Sequence, residues 1–569
     1  MVAALRLDDV ADSARPQAEP EATPPTGRLR RHGLRITCHL AAELPLVVLC
    51  IRSLTTGWRA TSDDAVVAWR AWDVLSAHPT LLGAPTHATG VDHQVFAPGP
   101  ALSWLLTVPV HVDPTQGTLW GSTLIALAAV ALTVEAGWAG GGRFGAVGAS
   151  LSVVVVLTTE TAVLMNLPWT PWQGALWLLA AMGCAWATAG GRLWWWPAGV
   201  LAACIAAQAH VVFALTAVTV CGAGLVVGVL GIRRARRADD GLSDAPDEPG
   251  HRRPRVAVGP LMTGLVVGVV LWLPPLLDEL WGSPGNLTLL WRSSSSARGT
   301  IGYSGALQGL GAATWPPFSW THRLPTTGPA LFFQVLGTTF HGPAWHGVVT
   351  LVVLLALALW CTVTRRTAVA ALCWVATVAS AAAVVTIAQT PSANAFQLVY
   401  LGVLFWPVGL LATGTVVAGI VAIVRSLADG RIAASTGRLI ATGALAVGVV
   451  GVVGLAAGVT EVDARSVPNE LSVQGGPDVA LLATRAAAAV SRVAPDGPFE
   501  LRLTGSATVA NDATAYPSIA YALISAGRPV RLPELYAVGA DASRAAHGRL
   551  PVVTVDIGST EPTARLTSS

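Results

Sequence analysis

Two adjacent carboxylates, Asp63 and Asp64, stand in the stretch TGWRATSDDAVVAWRAWDVLSAHP, residues 56–79. A carboxylate pair of this kind can take a proton as a general base, hold a divalent cation, or do no more than favour the positive end of a helix. Arginine and histidine recur in other polar stretches: Arg59 a few residues before the pair, Gln208 and His210 in QAHVVF (208–213), and Arg292 at the end of LWLPPLLDELWGSPGNLTLLWR (271–292). Arginine grips phosphate oxygens bidentately and keeps its charge, so Arg292 and Arg59 are candidate anion-binding groups, with His210 beside them. Trp169 and Trp172 frame a proline turn in MNLPWTPWQ (165–173). His322, Arg323 and His341 are secondary candidates. Each group has a plainer reading: a helix cap for the acids, an aromatic belt for the tryptophans, a structural histidine, a snorkelling arginine.

The elements that position these residues are set by composition. Hydrophobic residues make up 53% of the 569 and charged ones 12%, with a mean hydropathy of +0.58, so the solvent of this chain is mostly lipid. The sequence predicts an α-helical polytopic membrane protein. About eleven apolar runs approach the roughly 20 residues a bilayer core demands, near 36–54, 117–138, 144–163, 173–189, 193–209, 211–231, 256–276, 347–363, 367–388, 399–424 and 438–459. A net charge of +3 with no lysine excludes a basic nucleic-acid surface. The seven cysteines fall in apolar stretches, which argues for packing rather than a disulfide framework or a thiolate metal site.

Arginine-rich short connections, among them GRLRRHGLR (27–35), RRARR (233–237) and TRR (364–366), fall on one side when the spans alternate, and that side is the cytoplasm. Residues 1–35 then form a disordered cytoplasmic tail, 36–459 the membrane domain with outer loops 55–116 and 277–346, and 460–569 a small extracytoplasmic α/β domain. In that last region DVALLATRAAAAVSRV (478–493) and YPSIAYALISAGR (516–528) read as helices, FELRLTG (499–505) and VVTVDIG (552–558) as strands. Such a unit would position an acceptor, close over the membrane cavity, or merely cap it. In the first outer loop Ser62 is an expected N-cap, with Asp63, Arg70 and Asp73 on one polar stripe and Val66, Trp69 and Trp72 on the rest of a helix lying flat at headgroup depth. FAPGPALSWLLTVPVHV (96–112) is expected as a second interfacial helix.

The order of these features, a first span, a loop with adjacent acids, a GP helix, a W-x-P-W outer turn and a Q-x-H outer turn, resembles the GT-C superfamily of membrane glycosyltransferases over roughly residues 36–424. Within it the pattern is most similar to the actinobacterial set related to arabinofuranosyl- and mannosyltransferases. The resemblance implies a multi-pass plasma-membrane enzyme with a polyprenyl-phosphate-linked sugar donor and a cell-envelope acceptor. It also implies an extracytoplasmic site and an acid of the first outer loop, Asp63 or Asp64, as base. Many members carry a histidine before the PGP helix, where this chain has Phe96 and Ala97, with His93 earlier. The residues agree independently: no phosphate-cradling glycine loop of the P-loop or dinucleotide type stands between strand and helix, so a donor reaching the outer face must travel in lipid. No cofactor is implied; a divalent cation at the acids stays open, since no companion ligand set has recognisable spacing. The rival readings are a transporter or flippase of lipid-linked sugars, with Glu43 as the deepest of the in-span acids Glu43, Glu135 and Glu160, and a non-catalytic scaffold of the same fold.

The arginine distribution makes a topological prediction. Alkaline phosphatase fused after residue 465 should be active, and the same reporter in the 232–255 loop inactive. An inactive fusion at 465 in a membrane-inserted chain would refute the arrangement.

Overall fold

The computed structural model describes residues 25–55, 57–77, 79–86, 94–158, 167–240, 258–295, 299–316, 318–319, 342–391, 402–427, 477–505, 509–532, 550–558 and 561–567. Helix α1, Pro25–Thr55, begins ahead of the position 36 expected for the first span, inside the segment assigned to the tail, and its apolar part runs Gly33–Thr55. The next long element, α4, spans Gly117–Thr158, but Gly142 breaks it with φ 60° and ψ −142°. Its two arms are the expected spans at 117–138 and 144–163, whose last residues lie outside the described residues. The glycines explain how the arms fold back. A β-carbon on Gly137 would stand 2.6 Å from the Gly145 carbonyl, and Trp186 fills the space over Gly140 and Gly141, so only hydrogen side chains allow this approach.

Seven helices among the described residues are long and apolar enough to cross a membrane: Gly33–Thr55, Gly117–Val155, Val211–Arg234, Val258–Trp281, Trp345–Val363, Thr367–Ala388 and Phe405–Val424. The chain is a multi-pass membrane protein. They belong to α1, α4, α7 (Ala214–Asp240, entered through a 3₁₀ turn at Val211–Phe213), α8 (Val258–Trp281), α11 (Trp345–Val363), α12 (Thr367–Ala388) and α13 (Phe405–Leu427). The expected spans at 173–189 and 193–209 are α5 (Thr170–Ala189) and α6 (Trp195–Ala209). Every residue of α5 from Pro171 to Met182 is buried, so this helix is the centre of the bundle, packed against α4, α6 and α7. The segment 438–459 lies outside the described residues.

Four shorter helices fall in the segments expected as outer loops: α2 (Ser62–Asp73), α3 (Ala101–Val112), α9 (Asn286–Ser295) and α10 (Gly302–Thr314). A two-stranded ribbon pairs β1 (Pro85–Thr86) with β2 (Val95–Phe96). Helix α3 forms as expected: Leu102, Leu106 and Val110 face inward while Trp104, Leu105, Val108 and Val112 form an exposed apolar stripe at helical spacing.

The C-terminal unit comprises α14 (Pro477–Val493), β3 (Phe499–Thr504), α15 (Val509–Ser525), β4 (Val530–Arg531), β5 (Val552–Asp556) and β6 (Thr563–Thr567). Its sheet has the order β4-β3-β5-β6, parallel except for β6. Phe499, Leu501, Val553 and Val555 are buried at period two, the pattern that marked the two strands in the sequence. Helix α15 starts earlier than position 516, because VANDATA supplies a helical turn ahead of Pro517, and the left-handed Gly527 (φ 77°) ends it. Strands β4 and β6 are too short or too polar to have been legible.

The glycine packing of α4 gives a stability test. Gly145→Val should destabilise the protein by about 2 kcal/mol or more through overpacking, lowering the melting midpoint in detergent. Gly148→Ala, with open space around its β-carbon, should leave it unchanged.

Candidate active site

Helix α2 carries the acid pair, and its setting departs from the flat interfacial helix expected from its tryptophans. Asp64, Trp69 and Arg70 are buried, as is Trp58 just ahead of the helix. Two partners cover it: α3 on one side and α15 of the C-terminal unit on the other. The tryptophans therefore fill protein core rather than headgroups, because the C-terminal unit occupies the face that would otherwise meet lipid. The N-cap is Thr61, not Ser62; its carbonyl accepts from the amides of Asp64 (3.0 Å) and Ala65 (3.3 Å). Ser62 begins the helix at φ 52°, in the left-handed region that costs a residue with a β-carbon about 1–2 kcal/mol, and its amide donates to Ser518 Oγ of α15 at 3.1 Å.

The two acids are not equivalent. Asp63 is exposed, whereas Asp64 is 5% exposed. Burial pushes the Asp64 carboxyl well above the usual carboxylate range, and the neighbouring Asp63 charge pushes it further in the same direction. A carboxyl so placed has a raised proton affinity, a property that suits a general base.

A framework of buried bonds ties the acid-bearing loop to the other outer segments. The Phe96 amide donates to Asn286 Oδ1 (2.9 Å) and the Asn286 side-chain amide donates to the Phe96 carbonyl (3.0 Å), joining the first outer loop to the second. Asp278 Oδ2 accepts from the Asn286 amide (3.0 Å), and Glu279 clasps Thr288, which fixes the start of α9. Arg70 lies 5.2 Å from the Phe96 ring centre and donates to the Leu82 carbonyl (2.9 Å). Gln208 is a strut between elements: Oε1 accepts from the Ala101 amide (3.1 Å), Nε2 donates to the Leu271 carbonyl (2.7 Å), and Gly99 packs directly on it. The backbone of Phe96 is thus the anchor between the two loops.

His210 differs from the cation pictured for it. Its Nδ1 accepts from the Val212 amide at 3.2 Å, capping the 3₁₀ turn, and burial pushes its pKa down to about 4. The ring is neutral at physiological pH and carries its proton on Nε2, so it offers a hydrogen-bond donor. Phe213 meets His210 edge-on and packs against Gly174, two residues after Trp172 in α5. Trp169 meets Trp172 at a tilt, and Trp172 stacks on Trp406 of α13 with ring centres 5.3 Å apart. The residues near the start of α5 and the end of α6 therefore share one neighbourhood, and α3 packs against both α2 and α6. Arg59 and Arg292 are exposed. His93, His322, Arg323 and His341 lie outside the described residues. Among the described residues no group of three or more histidine, cysteine, aspartate or glutamate side chains could hold a metal ion.

Sequence reasoning missed Arg70, Asn286, Ser518 and Tyr521. Arg70 had been placed on a polar stripe facing a cavity, and its burial depends on β2 and the 80–82 turn; Ser518 and Tyr521 lie in a unit that carried no motif.

No protein-family model matches the sequence, and no curated protein matches it. Among solved structures, ArnT from Cupriavidus metallidurans bound to undecaprenyl phosphate is similar at a TM-score of 0.47 and 15% identity, with 94% of this chain and 93% of that chain covered. The same protein in the apo state gives 0.44 and 15%, over 90% of this chain and 92% of that one. An Archaeoglobus fulgidus oligosaccharyltransferase, in complex with zinc and sulfate, gives 0.37 and 10%, over 90% and 68%.

The burial of Asp64 gives a prediction with a definite sign. Its folded-state pKa lies above the unfolded value of about 4, so the stability it contributes is complete below that value and is lost as pH rises through the folded pKa. Asp64→Asn, neutral throughout, should melt above the wild type at pH 8 and alongside it at pH 4. If the acid served only as a helix cap, the substitution would be neutral or slightly destabilising at pH 8.

Proposed function

We propose that the protein is a GT-C-type membrane glycosyltransferase that moves a sugar from a polyprenyl-phosphate donor to a cell-envelope acceptor on the extracytoplasmic face. The observation that carries this reading is the buried Asp64 beside the exposed Asp63, on a short helix packed against α3 and α15 in a loop whose Phe96 and Ala101 bond Asn286 and Gln208. Asp64 is the general base. It takes the proton of the acceptor hydroxyl as that oxygen bonds to the anomeric carbon and the bond from that carbon to the phosphate oxygen breaks, releasing polyprenyl phosphate. Asp63 raises the proton affinity of Asp64 and faces the open side. Arg292 and Arg59 meet the developing phosphate charge, with the neutral His210 donating from Nε2 and Trp169 and Trp172 lining the sugar-phosphate region. The N-terminus and the 232–255 loop are cytoplasmic, and the C-terminal unit is extracytoplasmic. No cofactor is assigned; a divalent cation, if used, would meet the carboxylates of Asp63 and Asp64.

A transporter or flippase reading needs an intramembrane acid free to cycle its charge. Glu43 is not such a group: it accepts from His39 Nδ1 (2.7 Å), His39 Nε2 meets Glu135 (2.7 Å), and Arg35 closes the set on Glu135. Glu160 lies outside the described residues. The locked cluster favours the enzyme over the transporter and leaves the non-catalytic scaffold as the reading that activity must exclude.

The test uses the purified full chain in nanodiscs with radiolabelled polyprenyl-phosphate pentoses and hexoses. Asp64→Asn should lower transfer by roughly 100-fold or more. Asp63→Asn should be milder and move the acidic limb of the pH–rate profile to lower pH, because one negative neighbour is gone. Asp73→Asn should be much milder than Asp64→Asn. Normal transfer in both single variants and the double variant would refute the role of the pair, and movement of donor across the bilayer without transfer would establish the flippase.

A further inference from the structure

We infer that the C-terminal α/β unit positions the acid pair, and that Ser518 is the residue through which it does so. This rests on the proposed role of Asp63 and Asp64. Ser62 immediately precedes the pair, is buried, and holds a positive φ. A residue with a β-carbon persists there only where its surroundings hold it. Two contacts hold this turn. The Ser62 amide donates to Ser518 Oγ at 3.1 Å, across 456 positions of sequence, and the Thr61 carbonyl accepts from the amides of Asp64 and Ala65.

Helix α15 is itself pinned. Tyr521, one turn beyond Ser518 and on the same face, donates its hydroxyl to the Pro114 carbonyl at 2.6 Å, on the connection between α3 and α4. The unit cannot slide along α2 without breaking both bonds. Removing the Ser518 hydroxyl takes away one of the bonds that hold Ser62 at positive φ, and relaxation toward negative φ would rotate the first turn and displace both carboxylates. A misplacement of about 1 Å at a reacting group can cost 100-fold in rate. Ser518 reaches the chemistry only through Ser62 and is a positioning residue. The C-terminal unit thereby acquires a task in the reaction that its lack of catalytic motifs does not suggest.

The experiment compares full-length wild type, Ser518→Ala, Ser518→Thr, Ser62→Gly and the Ser62→Gly/Ser518→Ala double variant in nanodiscs. Amide hydrogen exchange across residues 58–66 is read together with transfer from polyprenyl-phosphate mannose and polyprenyl-phosphate arabinose. Ser518→Ala should speed exchange in 58–66 about tenfold while β3 and α14 keep their protection, and should lower kcat about tenfold with KM unchanged. Ser518→Thr should restore both. In the Ser62→Gly background the loss of Ser518 should cost less, because glycine adopts φ 52° without being held. Unchanged exchange in Ser518→Ala, faster exchange with unchanged kcat, or an equal penalty in the glycine background would each overturn the inference. If the wild type transfers neither sugar, the transferase reading fails on that result, and the exchange data alone decide whether Ser518 holds the turn. Should Ser518→Ala unfold the C-terminal unit, Tyr521→Phe loosens the same helix at its other pin and should speed exchange in 58–66; an unchanged rate there would also overturn the inference.

Discussion

The site depends on a carboxyl group being kept out of water. Asp64 is buried on a helix covered by α3 and α15, and an ionised carboxylate there has given up hydration beside the like charge of Asp63. Such an arrangement persists only if the helix is covered from more than one side. Helix α3 supplies one cover and α15 the other, and the second comes from the far end of the chain. The strained Ser62 is the seam at which they meet the acid pair.

The same economy of polar groups governs the membrane-spanning part. Lipid offers no partners, so charged side chains there gather into a set that satisfies itself. Arg35, His39, Glu43 and Glu135 do this between α1 and α4. The two ring nitrogens of His39 each lie 2.7 Å from a carboxylate, one of Glu43 and one of Glu135. Glycine performs the complementary task where helices touch: Gly137 and Gly145 bring the arms of α4 into backbone contact, Gly224 does so against Ala185, and Gly409 against Ala313. A bundle built this way is rigid enough to present its outer ends as a fixed platform. Side-chain amides then join the outer loops to that platform. Asn286 and Gln208 each bond backbone of the first of these loops and its neighbours through both their amide oxygen and their amide nitrogen.

Much of this was legible in the residues. Apolar runs of membrane length located α1, both arms of α4, α7, α8, α11, α12 and α13, because the bilayer imposes one length on every span and one polarity along it. Period-two alternation located β3 and β5, and the exposed stripe on α3 followed from helical spacing. The acid pair could be singled out because adjacent carboxylates after a first span are chemically conspicuous. What could not be read is which acid is buried, since Asp63 and Asp64 are the same side chain one position apart and only the packing of α3 and α15 distinguishes them. Nor could the residues tell that Trp69 faces protein rather than headgroups, that Gln208 is a strut, that His210 is neutral, or that Ser518 meets Ser62. Local composition reports the average solvent of a segment. Burial, proton affinity and partners 456 positions away depend on which surfaces meet in space, and the tertiary structure alone decides that.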